Sequence, residues 1–558
     1  MSLYPPSYNL AGSGISSAFA ARGRTQNIMV LGDHNLHCPN GMMRALYEQT
    51  PNLSGFFCPG ILDSGVDQPW AGVSDVTTNL NLYGPFWPYR TDGQPNVAGG
   101  GFGTAYIYDT DSTVGDGTSP GVLTGGILVA GGQEIRWPNS ASAPGAAQRF
   151  CKYTLGSFTG QDAWAQRALT IKPFIHRPNA AVGTNQIVGG PALSLGVWRG
   201  TDTPTVAASF SAGTGNAIVA GTAATLAAGS GLPRWGLYWP TSAANSKTRC
   251  VVIGAHVTND MPEGVRFIPF ANPYLTLGAI DPGVFNIEIP QFAPIVSGVG
   301  GIDAFMIMLG SELDFSPANY NGLTDMVTEL RDANLNSAYH QGCVGIWNEV
   351  QIDVVNALRG ELATSTTPCL FILPQYSGSG RTLAEWEIIH ENILKETYFF
   401  CTNTVTKTGP APVQDHKWTT SNCAYIDLNN VATPTEIMTG GLITKGGTTV
   451  KGTWSSGTAY VSGDIVNNPN AGASDLPPGG YGAHTWYVAK ASSTNKEPGV
   501  AADWATYWDK MDFRPTQTFA ARLMRYIWSQ IAGSASGLQI ARPNAVDTYG
   551  LRSFRPNQ

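Results

Sequence analysis

Short apolar runs alternate with helical repeats in the first and last parts of the chain. Four runs have the length and the β-branched content of strands buried on both faces: residues 27–31, 302–309, 369–374 and 424–428. Residues 319–334 and 381–400 carry apolar positions at helical spacing. Strand–helix–strand alternation predicts right-handed crossovers and an α/β fold built on a doubly wound parallel sheet.

Two segments interrupt this pattern. Residues 83–264 are rich in Gly, Ala and Thr and contain short alternating runs, which predict an inserted β-sandwich-like domain. Residues 452–511 form a second, aromatic-rich interruption. The predicted division is therefore a core in three parts, at 1–82, 265–451 and 512–558, with insertions at 83–264 and 452–511.

The composition of the 558 residues narrows the function classes. Only 13% of the residues are charged, the net charge is −7, and no Lys/Arg cluster occurs, so we expect no nucleic-acid partner. No apolar stretch is long enough to span a bilayer, and the first ten residues lack a secretion-signal pattern. The eight cysteines show neither CxxC pairs nor zinc spacing, so we expect mostly free thiols, no metal and no cofactor.

Two motifs resemble those of SGNH/GDSL-type hydrolases. Residues 27–35, NIMVLGDHN, predict a buried strand that runs into a Gly-Asp turn, where that family places its nucleophilic serine. Residues 511–528, MDFRPTQTFAARLMRYIW, resemble the family's closing segment, an Asp-x-x-His-Pro motif before the last helix. The resemblance implies a flavodoxin-like fold with an active site at the carboxyl ends of the strands.

The same comparison shows departures at three positions that carry chemistry. His34 occupies the serine position, Glu312 follows Gly310 where an oxyanion-binding Asn is expected, and Arg514 occupies the histidine position. An arginine stays protonated and cannot act as a base near neutral pH. A carboxylate would repel an oxyanion. The departures predict a pseudo-enzyme whose former site is a structural ion network.

Two other interpretations of the same residues stay open. Ser311 could act as a displaced nucleophile, with His34 as its base and Asp33 as the orienting carboxylate. Asp33, His34 and His37 could instead contribute to a metal site, although no fourth ligand is fixed by the sequence. Our prediction includes no metal.

Residues 452–511 resemble the small chitin-binding modules of bacterial chitinases. The resemblance rests on Trp454, Tyr460, the run Gly463-Asp464-Ile465-Val466, Trp486-Tyr487, Pro498 and Trp504. It implies that Trp486, Tyr487 and Trp504 stack on sugar rings, with Trp454, Tyr460 and Trp508 in the core of the module. The alternative is that every ring packs inside the protein.

These patterns together predict a non-enzymatic phage virion protein that binds glycans of its host or environment. A tail, fibre or surface-decoration protein of this kind is expected to form homo-oligomers and to contact other virion proteins. The enzymatic alternative is an extracellular carbohydrate esterase or deacetylase with a rearranged site. A third alternative is a purely architectural virion subunit.

Overall fold

The computed structural model describes parts of the three core segments, of the 83–264 insertion and of the 452–511 module. The described residues are 4–32, 36, 42–59, 105–108, 132–136, 150–154, 164, 166–177, 193–199, 205–210, 217–231, 233–238, 249–271, 293–309, 355, 358–376, 378, 382–402, 422–468, 470 and 486–534. The helix predicted at 319–334 lies outside them.

Within the described residues, seven α-helices are α1 (Ile15–Ala20), α2 (Met42–Gln49), α3 (Ala293–Val299), α4 (Leu383–Thr402), α5 (Pro434–Thr439), α6 (Trp504–Tyr507) and α7 (Gln517–Ser534). The strands of the first half are β1 (Ser7–Tyr8), β2 (Thr25–Gly32), β3 (Leu53–Pro59), β4 (Ala105–Tyr108), β5 (Gly132–Arg136), β6 (Phe150–Thr154), β7 (Leu169–Arg177), β8 (Leu193–Arg199), β9 (Thr205–Phe210), β10 (Ala217–Ala220), β11 (Ala224–Leu226), β12 (Pro233–Tyr238), β13 (Arg249–Asn259) and β14 (Gly264–Ala271). Those of the second half are β15 (Ala304–Met308), β16 (Cys369–Leu373), β17 (Cys423–Asp427), β18 (Ile443–Lys445), β19 (Thr449–Thr453), β20 (Ala459–Tyr460), β21 (Asp464–Asn467), β22 (Trp486–Ala489), β23 (Ser493–Thr494), β24 (Trp508–Lys510) and β25 (Asp512–Pro515).

The core is a mixed α/β structure around a large sheet with a parallel centre. The central strands follow the order β17-β16-β15-β2-β14-β3, and each neighbouring pair is parallel. Every residue of β15, β16 and β17 is buried, as expected for strands covered on both faces. The four parallel strands predicted from apolar runs are confirmed, with bounds within a few residues.

One central strand is absent from the sequence prediction. β14 lies between β2 and β3 and pairs with β2 along its whole length, from Gly264 opposite Thr25 to Ala271 opposite Gly32. Its pairing with β3 ends at Phe267. Pro269 therefore lies beyond the part of β14 that pairs with β3, and its missing N–H interrupts no ladder on that side.

The described parts of residues 83–264 are strands, but they do not form one separate layer. β13 runs antiparallel to β3 and is followed outward by β5 and β4, while β7 pairs with β13 and carries β10 and β11. These strands extend the central sheet. A separate four-stranded sheet has the order β6-β12-β8-β9. The expectation of a distinct layer is wrong for the first set, because β3 offers β13 a free edge; the division into domains stays a prediction.

Helices α1 and α7 cover the sheet near β14. The ring of Phe19 on α1 lies 5.4 Å from that of Trp528 on α7 and 6.4 Å from that of Phe267 on β14. Phe19 is fully buried, and burial of a ring this size stabilises a fold by about 3 kcal/mol or more relative to alanine. The last helix is thereby fixed against the same sheet that carries β2.

The module begins with β19 at Thr449, slightly before the predicted boundary, and its sheet has the order β19-β21-β22-β24. β20 and β23 form a two-stranded ribbon beside it. The short helix α6 interrupts an otherwise β module. The module is therefore mostly, but not entirely, β.

Candidate functional site at the carboxyl edge of the sheet

The carboxyl ends of β2 and β15 lie side by side. The two strands are parallel neighbours in register, with Leu31 opposite Ile307 and Gly32 opposite Met308. β2 and β15 therefore end next to each other at one edge of the sheet. Ligand sites in open α/β sheets form outside the carboxyl ends of the strands, and β2 and β15 both end at that edge.

The last residue of β2, Gly32, has no room for a side chain. A Cβ atom at Gly32 would lie 2.4 Å from Cδ2 of Leu36, closer than two such carbons can approach. Leu36 is only 1% exposed and belongs to the main hydrophobic core. Gly32 therefore leaves room for the buried Leu36 side chain against the end of β2.

The predicted catalytic positions are only partly described. Asp33, His34, Gly310, Ser311 and Glu312 lie outside the described residues. The backbone of Arg514 lies in β25, which pairs with β18 and leads into α7; its side chain is outside the description. The structure thus supports the placement of the strand ends, and the roles of these residues stay predictions.

An aromatic cluster lies beyond the carboxyl end of β16. The ring of Tyr376 contacts Trp386 of α4 and Phe513 of β25 edge to face, at 5.5 and 5.6 Å between centroids. Trp486 of β22 donates a side-chain hydrogen bond to the Tyr376 hydroxyl. Burial raises the pKa of Tyr376 well above its ordinary value, so the hydroxyl stays protonated. The cluster brings the closing segment and the module to the same edge of the sheet.

Gly378 allows the segment after β16 to pack closely on Phe513 of β25. It has a φ of +84°, and a Cβ atom there would lie 2.2 Å from the ring of Phe513. Both the backbone angle and the contact require glycine. The segment after β16 consequently packs directly on the strand that carries Arg514.

A buried histidine–carboxylate pair lies at the end of β17, and the sequence analysis missed it. Nε2 of His390 is 2.9 Å from Oδ1 of Asp427, whose side chain is fully buried. The carboxylate also accepts hydrogen bonds from the Asn429 backbone and the Asn430 side chain. The available signal was Asp427 itself, a charged residue ending an apolar strand, but nothing in the sequence points from it to His390 on α4.

Successive side chains of β22 point to opposite faces of the module's sheet and pack in two different clusters. Along β22, Trp486 and Val488 face the main core, whereas Tyr487 and Ala489 face a second cluster that contains Tyr460 and Trp508. Trp486 is 4% and Tyr487 0% exposed. The expectation that these two rings are available to a glycan is wrong, because both faces of β22 are covered. The predicted core positions of Tyr460 and Trp508 are confirmed.

Three partly exposed rings remain around that second cluster: Trp454, Trp504 and Tyr507. Trp504 contacts Tyr487 edge to face at 5.6 Å, and Nζ of Lys510 lies 6.0 Å from its ring centroid. Lys496 lies similarly over Tyr507 at 5.4 Å. Of the three rings predicted to bind glycan, Trp504 alone keeps an open side.

The buried imidazole of His256 on β13 has two cationic side chains near it. Lys172 of β7 lies opposite it in the antiparallel ladder, and Arg266 lies on β14. Burial, then the charges of Arg266 and Lys172, lower the pKa of His256 to about 3. Lys172 donates to the carbonyl of Gly298 at the end of α3, at 3.0 Å. The group holds that helix end against the sheet extension.

Three remaining features belong to the described part of the chain. No cluster there of three or more His, Cys, Asp or Glu side chains could hold a metal ion. No helix among those residues has the length and apolarity needed to cross a membrane. Cys369, Cys401 and Cys423 are buried and lie in no disulfide.

Neither a protein-family model nor a curated protein matches this sequence. Similar solved structures include a peptidoglycan O-acetylesterase, at 10% identity over 76% of this chain and 87% of that chain, with a TM-score of 0.35. A protein described as a GDSL-like lipase from Bacteroides ovatus matches at 14% identity over 48% and 76%, with a TM-score of 0.17. A xylan-binding domain from Paenibacillus barcinonensis matches at 11% over 23% and 72%, with a TM-score of 0.15.

These similarities correct the function expected from the sequence. The first two are to hydrolases of ester substrates, which contradicts the expectation of a non-enzymatic phage virion protein and of a pseudo-enzyme. At these identities and TM-scores, the activity has to be argued from this chain's own residues.

Proposed function

We propose that this chain is an SGNH/GDSL-type esterase with a rearranged site that removes acyl groups from a glycan. The observation that carries the proposal is the register of β2 and β15, which sets Gly32 opposite Met308. Asp33 and His34 follow the first strand directly, and Ser311 follows the second by three residues. The proposed nucleophile, base and orienting carboxylate thus follow, in sequence, two strands that end at the same edge of the sheet.

The proposed reaction follows serine-esterase chemistry. Ser311 attacks the acyl carbon while His34 takes its proton, and Asp33 orients the imidazole. Collapse of the tetrahedral intermediate releases the sugar hydroxyl, which takes the proton back from His34. Water then hydrolyses the acyl-serine with the same base. Arg514 stays protonated, so His34 is the base in this scheme.

Turnover of an acetylated xylan or a short acetyl ester tests the proposal. We expect Ser311→Ala to lower kcat/KM by about 10³-fold or more, and His34→Ala to do the same. Ser316→Ala and His416→Ala, which change the same residue types elsewhere in the chain, are the matched controls. A fluorophosphonate should label Ser311 in the unchanged protein. Turnover that survives Ser311→Ala, or no turnover at all, refutes the proposal.

A second function, glycan binding by the module, is supported by the three partly exposed rings around its core. Aromatic faces stack on the apolar C–H faces of sugars. We expect Trp504→Ala to lower retention on insoluble polysaccharide by about 5- to 10-fold, the scale of one aromatic contact of ~1 kcal/mol. Val500→Ala removes an exposed apolar side chain of the same module and is the control. Unchanged retention of the Trp504 variant contradicts this role.

A further inference from the structure

The module is attached to the core at three points. Both of its chain connections run through the β18–β25 ribbon, in which Ile443 lies opposite Pro515 and Lys445 opposite Asp512. The third point is the inner face of its sheet, where Trp486 and Val488 belong to the main hydrophobic core. A module held in this way is part of one packed body with the sheet.

Trp486 is the residue through which the third attachment reaches the carboxyl edge. Its indole donates to the hydroxyl of Tyr376, three residues beyond the end of β16. Its carbonyl accepts from the Met511 backbone at 3.1 Å, just before β25. The same tyrosine packs on Phe513, which in turn contacts Gly378. One side chain therefore links the module, the segment after β16 and the segment before the last helix.

We propose that Trp486 is a positioning residue, which holds residues 374–376 and Gly378 in place beside the carboxyl edge from which the proposed catalytic residues follow. This inference rests on the proposed esterase function and adds the module to the machinery that shapes its site. A site on a loop needs such support, because a displacement of about 1 Å can cost on the order of 10²-fold in rate. Tyr376 transmits the effect, and neither residue takes part in the chemistry.

The module offers a matched control. Trp508 is also fully buried and also donates one indole hydrogen bond, to the Lys496 carbonyl at 2.7 Å, but it lies in the module's own cluster. Trp486→Phe and Trp508→Phe each delete one buried indole hydrogen bond, so we expect similar drops in the unfolding midpoint. Only Trp486→Phe should change the catalytic edge.

The experiment measures kcat and KM for a short acetyl ester, which needs no glycan contact with the module. We expect Trp486→Phe to lower kcat about 10-fold with KM within about 2-fold. Tyr376→Phe should match it, and the double variant should fall no further, because both delete the same bond. Trp508→Phe should keep the kcat of the unchanged protein. Equal effects of Trp486→Phe and Trp508→Phe on kcat, or no effect of either, overturn the inference while leaving the esterase proposal intact.

Hydrogen exchange separates failure of this inference from failure of the proposed function. If the unchanged protein turns over no ester, the esterase proposal fails by itself. The amides of Gln375, Tyr376 and Gly378 should still exchange about 10-fold faster in the Trp486 variant than in the Trp508 variant, and those of Gln375 and Gly378 should do so in the Tyr376 variant. Equal exchange in all three variants shows that Trp486 does not position the segment.

Discussion

Acid should destabilise this protein through His256, which the fold keeps neutral. The imidazole is 4% exposed, and its Nε2 has no hydrogen-bond partner among the described residues. Burial and the nearby charges of Arg266 and Lys172 hold its pKa at about 3 in the folded state. The unfolded chain restores the ordinary value of 6.5. Between pH 6.5 and 3 the unfolded state therefore binds more protons than the folded state.

The sign and the size of the effect follow from linkage. The contribution of His256 is constant above about pH 7 and falls as the pH drops through 6.5 towards 3. One pKa unit corresponds to about 1.4 kcal/mol. At pH 5 the loss is therefore about 2 kcal/mol, and near pH 3 it approaches about 4–5 kcal/mol.

Urea unfolding of the unchanged protein and of His256→Gln between pH 5 and 8 measures this contribution. Glutamine is neutral throughout, and the carboxylates titrate alike in both proteins, so the difference between the two pH profiles isolates the histidine. We expect the unchanged protein to lose about 2 kcal/mol more than the variant between pH 8 and pH 5. Parallel profiles, or an imidazole that titrates near pH 6.5 in the folded protein, would refute the argument.

Two further predictions concern the carboxyl edge of the sheet, near the ends of β16 and β17. Gly378→Ala should destabilise the protein by at least about 2 kcal/mol more than Gly23→Ala in thermal unfolding; both glycines have φ near +80°, but only the first would place a Cβ against Phe513. Asp427→Ala should cost about 3 kcal/mol or more, because it removes a fully buried carboxylate that binds three groups and leaves the buried His390 imidazole without its partner. Asp303→Ala, at a partly exposed carboxylate, should cost less; equal costs contradict the role of burial.

The sequence predicted the parts of the fold that repeat a simple pattern. The apolar runs at β15, β16 and β17 are buried throughout and could be recognised without tertiary information. β14 could not, because Pro269 in its second half argues against a central strand. Its place between β2 and β3 depends on how far each neighbour extends, which no local pattern encodes.

The candidate site shows the same limit. The motif predicted a buried strand that ends near Gly32, and the rules of parallel sheets predicted that the site lies at the carboxyl ends of the strands, where β2 and β15 end side by side. The exposure of the module's rings did not. Trp486 and Tyr487 are neighbours in sequence and face opposite ways, and both are buried because the core covers one side of β22 and the module's own cluster the other. A family pattern identifies aromatic positions but not the surface against which an insertion packs.

The β18–β25 ribbon would allow another domain to replace the module, but the core needs some domain at this place. Lys445 and Asp512 are paired across the ribbon, about 5 Å apart, so a short reverse turn could reconnect the core without the intervening chain. Deletion of the module would nevertheless remove Ile465, Trp486 and Val488 from the main hydrophobic core. It would expose apolar surface around Tyr376 and Phe513 to solvent. A domain inserted in its place would need an apolar surface that packs on the same part of the core, whatever ligand its outer surface binds.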